Sequence, residues 1–149
     1  MQYHHTQKGP IYLALLVIAV LLGVNAWLFR EQWLPLVLLS GGTVCFGFLA
    51  LSFRQLTVED HGEGLAVRFG PLPVFHTQIP YASITAVEAG RSSLIDGLGI
   101  HYVPGRGWTY NLWGADCVVA HLGDRLIRIG MDDVDGLLVF LRGKIQSAG

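Results

Sequence analysis

The chain has 149 residues with ten Lys plus Arg against eleven Asp plus Glu, a formal net charge of −1. Only 14% of residues are charged and 52% are apolar, at a mean hydropathy of +0.46; an ordinary soluble domain carries roughly 25% charge. Residues 54–149 hold eight Lys plus Arg and ten Asp plus Glu, so no basic footprint for nucleic acid is present.

Residues 1–10 read as a flexible N-terminal tail, in which His4 and His5 could chelate only adventitiously. The excess of apolar residues comes from the next third of the chain. Ile11–Phe29 has no charge and one amide, Asn25; Trp33–Phe53 has no charge at all. At about 1.5 Å per residue each can cross a hydrocarbon core of roughly 30 Å. The 96 residues from Arg54 to Gly149 are too few to cover two such segments on every side. Arg30, Glu31 and Gln32 alone separate them, so residues 11–53 are expected to form a two-helix transmembrane hairpin. Pro35 falls in the first turn of the second helix, where its missing N–H costs little. Trp27, Phe29 and Trp33 cluster at the turn as an interfacial aromatic belt does.

Lys8 precedes the hairpin and Arg54 and Arg68 follow it, while the turn has Arg30. This bias predicts a protein of the cell (inner) membrane, crossing twice, with both termini cytoplasmic. A rival reading takes Val24-Asn25-Ala26 as a signal-peptide cleavage site, but the weakly basic start and the immediate second segment oppose it. Cys45 in a membrane segment and Cys117 in the later domain imply no disulfide framework. Small residues, Gly23 and Ala26 on the first helix and Gly41, Gly42 and Gly47 on the second, suit close helix packing in lipid. That packing is either within the hairpin or between copies.

From Arg54 onward, short apolar stretches alternate with turn signals, as antiparallel β structure does. Seven strands are expected: QLTVED, LAVRFG, VFHTQIP, ITAVEAG, GIHYV, DCVVAHL and RLIRIG. Pro71 and Pro73 break the chain after the second, and Gly123-Asp124 turns it between the last two. The segment Trp108–Trp113 extends or borders the fifth and sixth. The period then changes to that of a helix. Val134, Leu137, Leu138, Leu141 and Ile145 form one apolar stripe, Asp132 or Asp133 can cap it, and Gly136 and Gly143 weaken it. Seven strands and a closing amphipathic helix predict a rolled sheet, or barrel, plugged by the helix, which is the pleckstrin-homology (PH) architecture.

The stretch LGIHYVPGRGWTYNLWG resembles bacterial PH-like domains on Gly99, Ile100, Tyr102, Pro104, Gly105, Gly107, Trp108, Tyr110 and Asn111, followed by Arg128-Ile129-Gly130. LTVEDHGEGLAVRFGPL and IPYASITAVEAG fit the same pattern, so the resemblance covers Leu56 to Ile145. It implies a PH-like fold in a small membrane protein and no enzymatic activity.

The opening hairpin, where PH domains grip phosphates with Lys and Arg, here reads Glu59-Asp60-His61-Gly62-Glu63, which argues against phosphoinositide binding. The histidines at 61, 76, 101 and 121 are scattered, and Cys117 and His121 stand about 13 Å apart along one strand, too far to share a metal. Ser92, Ser93, Asp96 and His101 are close in sequence but lack a nucleophile elbow. Gly105-Arg106-Gly107 lacks the phosphate-loop spacing. No catalytic residue, cofactor or metal is therefore assigned. Trp108, Tyr110 and Leu112 alternate as a core-facing set does, while Trp113 falls on the opposite face, outward or toward the membrane. Arg106, Trp108, Tyr110 and Trp113 are the candidate interaction surface. The expected function is a membrane-tethered scaffold that binds a protein partner or itself. The alternative is a lipid or small-ligand sensor with a pocket near Trp108 and Tyr110, and the third is an uncharacterised hydrolase.

Overall fold

In the computed structural model, which describes residues 2–72, 74–92 and 98–148, the two uncharged segments are helices α1 (Ile11–Leu28) and α2 (Trp33–Ser52). Both are long and apolar enough to cross a membrane. They pack on each other, and their remaining surface is apolar and uncovered: Val17, Leu21, Val37, Leu38 and Val44 are all exposed. By length and composition both helices thus fit a membrane span. Two of the polar side chains bond back to their own helices. Asn25 donates to the Leu21 carbonyl (2.7 Å) and Thr43 to the Leu39 carbonyl (2.8 Å). At the turn, Arg30 lies 5.0 Å over the Trp27 ring.

Of the small residues, Ala26 is buried, and Gly23 and Gly42 face the partner helix; Gly41 and Gly47 face open space. A Cβ on Gly42 would stand 3.1 Å from Leu22 Cδ1. Gly42→Leu is therefore expected to push the helices apart and cost about 1–3 kcal/mol. Gly41→Leu, with nothing within 4 Å, should leave the hairpin unchanged; unfolding in mixed detergent micelles, followed by circular dichroism, compares the two.

The segment expected to be a tail is a strand, β1 (His4–Lys8), paired antiparallel with β2 (Gln55–Asp60) from His4↔Glu59 to Lys8↔Gln55. The cause is the hairpin itself. It returns the chain to where it began, and the open edge of β2 takes the first backbone that runs beside it. With β3 (Gly64–Phe69) and β4 (His76–Pro80) this makes a four-stranded antiparallel sheet. A 3₁₀ turn, Tyr81–Ser83, leads to β5 (Ala86–Arg91). β6 (Gly99–Val103), β7 (Gly107–Asn111), β8 (Asp116–Leu122) and β9 (Arg125–Gly130) follow, and the second sheet has the order β5-β8-β9-β7-β6. Gly123-Asp124 is the two-residue turn between β8 and β9, as expected. Pro73, Ser93 and Asp96 lie outside the described residues.

Among the described residues, nine strands therefore replace the seven expected, and two open sheets replace a closed roll. β7 is a full strand and runs parallel to β9, with Trp108 opposite Ile127 and Tyr110 opposite Ile129. The helix α3 (Val134–Ala148) packs on β5, β8 and the 3₁₀ turn. Its expected stripe is correct: Leu137, Leu138 and Leu141 are buried and join Leu56, Val67, Phe69, Ile79, Val118 and Ile129 in one core spanning both sheets. Asp133 is the cap, accepting from the Gly136 amide at 3.2 Å. A Cβ on Gly136 would lie 2.3 Å from that carboxylate. The glycine that weakens the helix is what allows the cap to close.

Candidate functional site

Each strand that adjoins the helical hairpin runs directly away from it. β1 ends two residues before α1, and β2 begins two residues after α2. The domain thus has a proximal end, at Lys8, Phe53 and Gly99, and a distal end about 16–20 Å away along the strands. The acidic turn at residues 61–63 and the turn at residues 104–106 are both distal.

The distal turn at 104–106 builds the site. The Arg106 amide donates to the Val103 carbonyl (2.9 Å), closing a tight reversal in which Gly105 and Gly107 both have φ of +77°. That φ favours glycine. Gly107 has a second reason: a Cβ there would stand 1.9 Å from the Leu126 carbonyl oxygen of β9. The glycine-rich motif is what lets β7 lie against β9. The resulting register sets Tyr102 opposite Trp108 and Ile100 opposite Tyr110. The rings of Tyr102 and Trp108 stand 5.6 Å apart, and those of Trp108 and Tyr110 stand 6.5 Å apart and nearly parallel.

Trp108, Tyr110 and Leu112 do share the side of the sheet that faces the core, but they do not share its burial. Leu112 is fully buried, Tyr110 is half-buried against the core, and Trp108 is 47% exposed. The core stops before the strand does, and the expected packing role fails for Trp108. Tyr102, at 59%, is exposed beside it. The two rings form one wall of a hollow of about 540 Å³, with Asp124, Arg125 and Ile127 on the other. The Arg128 guanidinium donates to the Arg106 carbonyl and braces the turn, while one arginine and one aspartate, Arg125 and Asp124, line the hollow beside the aromatic pair. Arg and Trp at a half-exposed, concave site are the residues that most often anchor protein partners.

Arg106, Trp108 and Tyr110 therefore come together. Trp113 does not join them: it lies at the proximal end, its carbonyl accepting from the Gln7 side chain at 2.8 Å. Reading from sequence missed Tyr102, Asp124 and Arg125. Tyr102 was legible in principle, because a tight P-G-R turn forces it opposite Trp108. The Asp124-Arg125 contribution depends on the parallel pairing and has no local signal.

The acidic hairpin is committed to structure. Asp60, with a side chain 4% exposed, accepts from Lys144 Nζ (2.9 Å), the Tyr81 hydroxyl (2.8 Å) and the Gly62 amide (2.9 Å). Burial opposes its ionisation, but the bonds from Lys144, Tyr81 and Gly62 outweigh it and hold the carboxyl below its usual range. Burial likewise opposes ionisation of Glu59, and contacts with His61 (2.7 Å) and Arg68 overcome it. Burial, then the bond to Asp60, pushes the Tyr81 hydroxyl up. Lys144 also lies 5.0 Å over the Tyr81 ring. This hub ties the first hairpin to α3. Two more bonds tie β1 to the start of α3: Tyr3 to Asp133 (2.9 Å) and His5 to Asp132 (2.6 Å). His121 pairs with Glu88 at 3.0 Å. His5, His61 and His121 thus each serve in a hydrogen-bonded pair with a carboxylate.

No protein-family model matches this chain, and no curated protein matches it.

Proposed function

We propose that this chain is a membrane-anchored, PH-like interaction module that presents an aromatic, cationic surface to a protein partner, including a second copy of itself. The observation that carries the proposal is the Tyr102–Trp108 pair. Two large rings, half exposed and tilted against each other at 5.6 Å, stand on a tight hairpin at the end farthest from the two apolar helices. Such an arrangement loses little side-chain freedom on binding. The PH-like reading is supported by the motif from Gly99 to Asn111, by the acidic first hairpin in its place, and by the closing helix. The parallel β7–β9 pair departs from an antiparallel roll. Lys8, Arg54 and Arg68 on the domain side of the hairpin, against Arg30 at its turn, support a cytoplasmic domain with both termini inside, at the inner membrane. The distal position of the acidic turn adds to the case against phosphoinositide recognition there.

The test is the native mass of the full-length protein in mild detergent, with cross-linking to capture partners. Wild type is expected to give a defined assembly, lost in Trp108→Ala with the unfolding free energy lowered by no more than the ~1 kcal/mol of ring contact. Gly41→Leu asks whether copies instead meet through the open side of α2. Monomers throughout, with nothing captured, would sink the scaffold.

The hollow itself favours a second reading. About 540 Å³ is the size of a small-ligand site, and a ligand there would raise the melting temperature in a lipid extract or metabolite pool. Trp108→Ala would abolish that rise.

A further inference from the structure

We infer that the proximal end of the β domain is itself a bilayer-binding surface, seated on phospholipid by Trp113, Leu72, Val74 and Leu98. This rests on the reading of α1 and α2 as bilayer-spanning.

The first support is tether length. Only Gly9-Pro10 joins β1 to α1, and only Phe53-Arg54 joins α2 to β2. Two connections of two residues each, at the same end, cannot hold the domain more than about 11 Å from the helix ends. The proximal loops must meet whatever surrounds those helix ends.

The second is what the loops carry there. Trp113 stands beside the entry to α1: a Cβ on Gly9 would be 2.8 Å from Trp113 Cβ. The turn that bears Leu72 and Val74 begins at Gly70, which nearly touches the last turn of α2. A Cβ on Gly70 would fall 2.3 Å from the Ser52 carbonyl oxygen. Phe53, the first residue past α2, packs on Phe75 at 5.5 Å and lies 3.6 Å from the Cβ position of Gly99, next to Leu98. The four side chains therefore ring the foot of the hairpin, and each is 39–55% exposed. Exposed apolar side chains gathered at one end mark a contact surface. Trp sits by preference at the headgroup level, where its ring is apolar and its N–H stays wet.

The third is charge. Lys8 and Arg54 flank the same foot, and the Arg54 guanidinium lies 6.0 Å over the Tyr12 ring in the first turn of α1. Basic residues at this level suit an anionic headgroup layer. The acids of the first hairpin stand at the opposite end. What favours a phospholipid surface over a second copy is the common level of the Trp, the aliphatic side chains and the basic residues, all beside the ends of α1 and α2.

The chain's four tryptophans supply the test. Three full-length variants each keep one tryptophan, at position 27, 108 or 113, with the others replaced by Phe. Each is reconstituted into vesicles of phosphatidylcholine and phosphatidylglycerol with brominated acyl chains, and its emission is compared with that in unbrominated vesicles. Trp113 lies five residues from Trp108 along the chain, about 16 Å in an extended strand, so the pair reads the tilt of the domain. The expected result is that Trp27 and Trp113 are quenched and Trp113 emits to the blue, while Trp108 is unaffected. Quenching of Trp27 with Trp113 as untouched as Trp108 overturns the bilayer contact and leaves the hairpin reading standing. A blue-shifted but unquenched Trp113 means that protein covers this face, which also overturns the contact. Quenching of Trp108 together with Trp113 means that the domain lies on another side. If Trp27 is not quenched, the hairpin reading falls and this inference with it. Val74→Asp in the Trp113-only protein, at a site outside the core, is expected to reduce the quenching without unfolding the domain.

Discussion

Gly107→Ala is expected to unfold the second sheet, whereas Gly105→Ala, two residues away with the same φ of +77°, is expected to cost about 1 kcal/mol. The backbone strain of placing an L-residue at positive φ is roughly 1–2 kcal/mol in either case. The difference lies in what the new methyl meets. At Gly105 nothing is within 4 Å; at Gly107 the Leu126 carbonyl oxygen is at 1.9 Å. A carbonyl in a strand ladder cannot turn aside as a side-chain tip can, so β7 must leave β9 and with it the parallel pair from Trp108 to Tyr110. Losing that contact and the strain together exceeds about 4 kcal/mol, a large part of the 5–15 kcal/mol that holds a domain folded. Urea unfolding followed by tryptophan emission measures both variants. Equal losses at the two glycines would show that strain, not the approach to β9, sets the cost.

Asp60→Ala is expected to destabilise the domain by about 3 kcal/mol, because it leaves the Lys144 ammonium and the Tyr81 hydroxyl facing a site that no longer accepts from them. Lys144 is 28% exposed, which keeps the loss at the low end for a broken buried pair. The same carboxylate gives stability a direction in pH. Asp60 and Glu59 titrate lower in the folded protein than in the unfolded chain, where carboxyls titrate near 4. The unfolded state then binds more protons through the acid range, so their contribution is complete above about pH 5. It is lost as pH falls through the depressed folded values. Melting temperature measured from pH 7 down to pH 3 should fall in the acid limb for wild type and be flatter for Asp60→Asn. An identical acid limb in the two proteins would remove Asp60 from the account.

These two sites differ in how far they could be read in advance. The glycines of P-G-R-G announce a turn by themselves, since only a short-range backbone rule is involved. That Gly107 must also be bare depends on β9, eighteen residues later in the chain, sliding alongside. Asp60 reads as a solvated turn acid until Tyr81 and Lys144 are folded onto it, and nothing near it in sequence marks the burial.

What the sequence by itself determined is whatever rests on local pattern. The two helices follow from unbroken apolar runs, each long enough by itself to cross a membrane. The stripe from Val134 to Ile145, a capping acid at Asp132 or Asp133 and the Gly123-Asp124 turn follow from periods and propensities within a few residues; the structure chose Asp133. Tertiary structure alone decided the rest. HHTQK has no alternation of apolar and polar residues, and it is a strand only because the hairpin lays it along the open edge of β2. Period two states that Trp108, Tyr110 and Leu112 share a face, but not where along that face the core ends. Strand pairing is a contact between distant segments. A parallel neighbour such as β9 adds a wall of side chains to Trp108 that no stretch around residue 108 encodes.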